Sequence, residues 1–124
     1  MTFMQKILFI LLLLCGCSDS TVTEISPADL RPDALILDVR TAAEHEQVAL
    51  EQKHWLVPLN QLNAADFIRE HHLDNSTPLY ILCRSGKRAA VAAQHFKKAG
   101  FNKAIVIQGG IIAAEKSGRK VVKK

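Results

Sequence analysis

Cys83 is the side chain from which chemistry can start. It heads the segment Cys83-Arg84-Ser85-Gly86-Lys87-Arg88 and directly follows the apolar run Leu79-Tyr80-Ile81-Leu82. A thiol is a nucleophile only as its thiolate, and three features of this segment favour the anion. The run before it reads as a buried strand and the residues after it as the start of a helix. Backbone N–H groups and the positive end of the helix dipole then face the sulfur. Gly86 lets the chain bend so that several amides turn inward as an anion-binding nest. Arg84, Lys87 and Arg88 add positive potential, which also attracts an anionic substrate. The plain alternative is an inert buried cysteine beneath a basic, solvated turn.

The elements that must hold such a loop alternate along the chain. A short edge strand is expected at 22–25, and strands at 35–39, 55–58, 79–82 and 104–107, where apolar residues run almost without interruption. Ser26-Pro27 opens a short helical turn, with Ser26 as cap and Pro27 at the first helical position. A helix is predicted over 41–50, where Thr41 and Glu44 form a capping box. Another at 60–72 presents Leu62, Phe67 and Ile68 to a core, and a third at 87–99 ends at Gly100. Gly109-Gly110 turns into a last helix reaching Lys116. Strands alternating with helices give an α/β fold, a parallel sheet covered on both faces, in which ligands bind beyond the carboxyl ends of the strands. Cys83 is at such an end. Trp55 reads as a core or half-buried strand residue. His45, His54, His71, His72 and His95 show no metal-ligand spacing, so they read as surface residues and no metal is expected.

A length of 124 residues with 48% hydrophobic and 23% charged side chains suits one domain. The apolar content is too high and the net charge of +4 too modest for a disordered chain. Three cysteines are too few for a disulfide framework. The one long apolar run, 7–14, has eight residues where a spanning helix needs roughly 20. With Lys6 before it and Cys15-Gly16-Cys17 after it, this run has the form of a secretory signal. It resembles a bacterial lipobox, with Leu14 at −3 and Cys17 as the lipidated residue.

The organisation expected is therefore a signal at 1–16, a tether at 17–21, a domain at 22–118 and a basic tail at 119–124 that frays. Ser18 after the lipidated position resembles outer-membrane sorting. The expected location is thus the periplasmic side of a bacterial membrane, through the lipid, with a soluble periplasmic protein as the alternative. Cys83 is then the one free thiol of the mature chain, in a compartment that oxidises idle thiols. Residues 1–70 carry ten acidic against five basic side chains, and residues 71–124 two against eleven. With 6% aromatics and no groove-reading motif, a nucleic-acid partner is not expected.

Several of these pieces, in this order, resemble the rhodanese-like sulfurtransferases. They are Leu37-Asp38-Val39-Arg40 with Glu44 one turn later, Cys83-Arg-Ser-Gly-Lys-Arg88, Ala99-Gly100-Phe101, and Val106-Ile107-Gln108-Gly109-Gly110-Ile111. The resemblance implies a monomeric domain without cofactor that moves sulfane sulfur from a small anionic donor such as thiosulfate. The sulfur passes through a Cys83 persulfide to a thiol or cyanide. It implies Arg84, Ser85, Gly86, Lys87 and Arg88 as the substrate-binding loop. Asp38 and Arg40 match the family's early Asp-x-Arg element and read as a supporting ion pair, with an Arg40–Glu44 surface pair as the local alternative. The chain departs from the family pattern at Ala49-Leu50-Glu51, where Gly-His-Ile is usual, and at Ala113-Ala114, where an aromatic residue is common.

Two other functions share these features. One is a non-catalytic persulfide carrier or binding module at the envelope. The other is phosphatase or arsenate reductase chemistry on the same fold. Phosphatases of this kind use Cys-x5-Arg, and the matching position here is Ala89, with Arg88 one residue too early. A shorter ring of amides without that bidentate arginine suits sulfur better than phosphate.

Overall fold

Strands buried on both faces pair in parallel between layers of helix, and the apolar runs of this chain do so. A computed structural model describes residues 22–124. The elements are β1 (Glu24–Ile25), a 3-10 turn (Pro27–Asp29), β2 (Leu35–Asp38), α1 (Ala42–Gln47), β3 (Val48–Leu50) and β4 (Trp55–Leu56). A second 3-10 turn (Leu59–Gln61) leads to α2 (Ala64–Glu70), β5 (Leu79–Leu82), α3 (Lys87–Lys98), β6 (Ala104–Ile107), α4 (Gly110–Lys116) and β7 (Val121–Lys123). The signal at 1–16, the tether at 17–21 and Cys17 lie outside the described residues. No helix among the described residues is long and apolar enough to cross a membrane.

Five strands form one parallel sheet in the order β1-β6-β5-β2-β4. Leu37 pairs with Ile81 and Ile81 with Val106, which lays an unexposed apolar row across the three central strands. That row faces Phe67 of α2 and Ala89, Ala92, Ala93 and Phe96 of α3. The three alanines let α3 lie close to the sheet, and Phe96 fills the space beyond them. On the other face Ile36, Leu82 and Ile107 meet Leu30, Leu50 of β3, and Ile111 and Ala114 of α4. The capped ends match the sequence: Ser26 accepts from the Ala28 N–H, and Thr41 and Glu44 complete a capping box.

Three expectations are corrected. The helix predicted over 41–50 stops at Gln47, because Val48 turns extended and Val48–Leu50 becomes a strand. Its partner is the supposedly frayed tail: Val121–Lys123 pairs antiparallel with Val48–Leu50. The departure from the family at Ala49-Leu50 thus lies within a second, two-stranded sheet. Arg119 fastens the tail by donating from Nε to the Pro27 carbonyl at 2.8 Å and from Nη2 to the Leu30 carbonyl. The helix predicted over 60–72 is also shorter, because Asn63 caps a helix that starts only at Ala64.

A tail held this way contributes to stability. Arg119→Ala should lower unfolding stability by about 2 kcal/mol, the usual size for hydrogen bonds from a charged donor. Urea denaturation measures it, and an unchanged midpoint would mean that the tail frays after all.

Candidate active site

β5 ends at Leu82 and delivers Cys83 to the carboxyl edge of the sheet, where its side chain is only 1% exposed. The Gly86 N–H donates to Cys83 Sγ at 2.9 Å. Gly86 reaches that position through a φ of +116°, in the left-handed region, while serving as N-cap of α3. Its own carbonyl accepts the first helical bond, from Ala90. A helix N-terminus therefore opens immediately behind the sulfur.

The loop is held from its other side by α4. The Ile111 and Ile112 N–H groups donate to the Cys83 and Arg84 carbonyls at 2.9 and 3.4 Å. Those oxygens are thereby bound to α4 and kept off the sulfur. Gly110 makes the contact possible: a Cβ there would run into both carbonyl oxygens. At the rim, Arg84, Ser85 and Lys87 are exposed.

Four charged residues behind the loop are spent on each other. Asp38 and Arg40, both buried, form an ion pair in which Arg40 Nε contacts both carboxylate oxygens at 3.1 Å and Nη2 contacts Oδ2 at 2.8 Å. The Arg40 N–H donates to Oδ1 at 3.0 Å, and Nη1 reaches the Glu44 carbonyl at 3.4 Å. The supporting ion pair expected of Asp38 and Arg40 is thus present, and the alternative Arg40–Glu44 surface pair does not form. Arg40 is drawn inward by Asp38, and the Glu44 carboxylate grips Arg88 instead, at 2.7 and 2.8 Å. Arg88, expected among the substrate-binding residues, therefore joins the first turn of α3 to α1. The Arg88 guanidinium, with Thr41 behind it, holds the Glu44 carboxyl down to about 2 from its ordinary 4.5, against a smaller upward push from burial.

Sequence spacing missed one cluster. His45 on α1 and His54 ahead of β4 are half-buried, and their Nε2 atoms meet at 2.8 Å. Burial, then the neighbouring His54, holds His45 below the usual imidazole value. With Asp38 they are a group, among the described residues, whose ligand atoms all lie within 4.8 Å of one another. His71 packs instead against Trp55 and Phe67, with ring centroids 4.5 and 4.3 Å away.

The model of the family described as "Rhodanese-like domain" matches residues 25–116. The chain is 33% identical over 95 residues to the probable adenylyltransferase/sulfurtransferase MoeZ of Mycobacterium tuberculosis, covering 72% of this chain. It spans only 24% of that relative's length. A protein of Allochromatium vinosum named "Sulfurtransferase" is 31% identical over 94 residues, covering 73% of this chain and 79% of its own. A Helicobacter pylori protein solved by solution NMR superposes with a TM-score of 0.67 at 26% identity, covering 82% of this chain and 89% of its own.

The Glu44–Arg88 pair predicts a pH signature. A carboxyl held at about 2 contributes stability that is present above about pH 4.5 and lost as pH falls toward about 2. Wild type should exceed Glu44→Gln by on the order of 1 kcal/mol at neutral pH, the upper end for a partly exposed pair. That gap should close across the acid window, as followed by denaturant unfolding at each pH. A gap independent of pH would show that the ionised carboxylate contributes nothing.

Proposed function

This chain belongs to the rhodanese-like domain family, and on that footing we propose that it transfers sulfane sulfur through a persulfide on Cys83. The Cys83 thiolate attacks the outer sulfur of a donor such as thiosulfate. A new S–S bond forms to Cys83, the donor's own S–S bond breaks, and sulfite leaves with the electron pair. A thiolate or cyanide then attacks the outer sulfur of the persulfide and takes it as a persulfide or thiocyanate, returning the Cys83 thiolate. Both halves are nucleophilic displacements, so no external oxidant or reductant is needed.

The observation that carries this reading is the Gly86 N–H aimed at Cys83 Sγ at 2.9 Å. An amide already directed at the sulfur, at the head of a helix, favours negative charge there in both thiolate and persulfide. The exposed Arg84 and Lys87 supply the cationic approach for an anionic donor. Because Cys83 is 1% exposed, a donor reaches the sulfur only as its surroundings move aside. Phosphoryl chemistry is disfavoured on two counts. The loop is one residue short of Cys-x5-Arg, and the arginine it does hold is engaged with Glu44. We further propose that Cys17 carries lipid and anchors the domain on the periplasmic face of a bacterial membrane, the outer membrane for preference.

Cys83→Ser should reduce thiosulfate-dependent thiocyanate formation to background with the fold intact, and neither form should hydrolyse an aryl phosphate. Intact mass after thiosulfate should show one added sulfur on the wild type and none on the variant. A stable persulfide without turnover would make the protein a carrier, and Cys83-dependent phosphatase turnover would overturn the reading. Separately, Cys17→Ser should release the protein from the membrane fraction. A native N-terminus without lipid, read by mass spectrometry, would refute the anchor.

A further inference from the structure

His45 and His54 come from different elements, yet their Nε2 atoms meet at 2.8 Å. Two ring nitrogens at that distance require something positive between them. His54 Nδ1 lies 2.7 Å from the Gln52 carbonyl oxygen. That oxygen can only accept, so Nδ1 carries the proton and the neutral ring presents a lone pair at Nε2. With a proton on His45 Nε2 the contact is a hydrogen bond. Without it, two lone pairs point at one spot. An imidazole fixed through one nitrogen on a backbone carbonyl, with the other left free, is how metal-ligating histidines are held.

The third group is Asp38, which is fully buried and within 4.8 Å of the histidine ligand nitrogens. Arg40 brings three N–H groups to its carboxylate, one of them shared between the two oxygens. A carboxylate offers about four lone-pair positions, and these contacts fall two on each oxygen, so an ion would share an oxygen with Arg40. A buried carboxylate beside two converging imidazoles is a donor set that suits a borderline cation.

We propose that Asp38, His45 and His54 form a binding site for a divalent transition cation of the zinc class. Two imidazoles and one carboxylate, with an open fourth position for water, is a ligand set such ions accept. Metal–nitrogen bonds of about 2.0–2.1 Å at a tetrahedral angle put the two nitrogens about 3.3 Å apart. The rings therefore open by about half an ångström, a small rotation for half-buried side chains. Arg40 remains on Asp38 and opposes the ion's charge, so the site is weaker than a cage of thiolates. The site lies toward β4, whereas Cys83 follows β5 on the other side of β2. A bound ion would tie α1 to the segment before β4 without drawing on Cys83.

The test uses the full chain freed of metal with a chelator, titrated with Zn²⁺ by calorimetry and with Co²⁺ by absorption. Wild type and Cys83→Ser should each take one equivalent. His45→Gln and His54→Gln should each lose at least about tenfold in affinity, the loss that even outer-shell substitutions cause. The cobalt spectrum should show ligand-field bands without thiolate charge transfer, which excludes the cysteines as ligands. Because either glutamine can loosen α1, imidazole NMR of the unaltered chain gives an independent readout. Zn²⁺ should shift the Nε2 resonances of His45 and His54 and leave His71, His72 and His95 in place. Absence of binding, binding that survives both histidine substitutions, or binding lost in Cys83→Ser would overturn the site.

Discussion

A fully buried arginine is tolerable in this domain only because Asp38 lies two residues before it. Removing either partner would leave an unpaired charge in the core, a defect that typically costs about 3–5 kcal/mol. The pair does more than neutralise itself. Asp38 ends β2 in register with Leu82, the residue before Cys83, and Arg40 reaches the Glu44 carbonyl in α1. Glu44 in turn grips Arg88 in the first turn of α3. The helix whose cap residue donates to the sulfur is thus referenced, through four charged residues, to the end of the neighbouring strand.

The loop around Cys83 is fixed from two directions by different means. In front, α3 supplies an amide to the sulfur. Behind, α4 supplies amides to the loop's carbonyls, and Gly110 allows the approach. Dipoles are sorted by this arrangement: carbonyl ends are bound away from the sulfur while an N–H end is presented to it. Such sorting needs no side-chain charge at the sulfur, and Arg84 and Lys87 remain in solvent.

Much of this was legible in the residues, and the failures have specific causes. β5 and β6 were read to the residue because strands buried on both faces write an uninterrupted apolar run. The capping box of α1 was legible because it is local. The end of α1 was not, because Val48-Ala49-Leu50 fits a helical face as well as a strand. Only the distant Val121–Lys123 decides between them. The tail looked frayed because its lysines mask two valines, and the carbonyls that hold Arg119 are about ninety positions earlier. The meeting of His45 with His54 left no local trace, since it depends on how α1 lies against the chain entering β4. Glu44 was assigned its capping role correctly, and its second role across to Arg88 was hidden by the first.

The engagement of Arg88 also bears on which chemistry the loop can serve. A transferring phosphoryl group spreads negative charge over several oxygens and calls for a guanidinium aimed into the ring of amides. In this chain the guanidinium of the first turn of α3 points to α1 and is neutralised there. What faces Cys83 is an uncharged amide and the end of a twelve-residue helix. In the proposed reading, these partial charges face a single sulfur rather than a phosphoryl group. Arg88, one residue before the position where phosphoryl chemistry would need an arginine, serves as a fastening between α3 and α1.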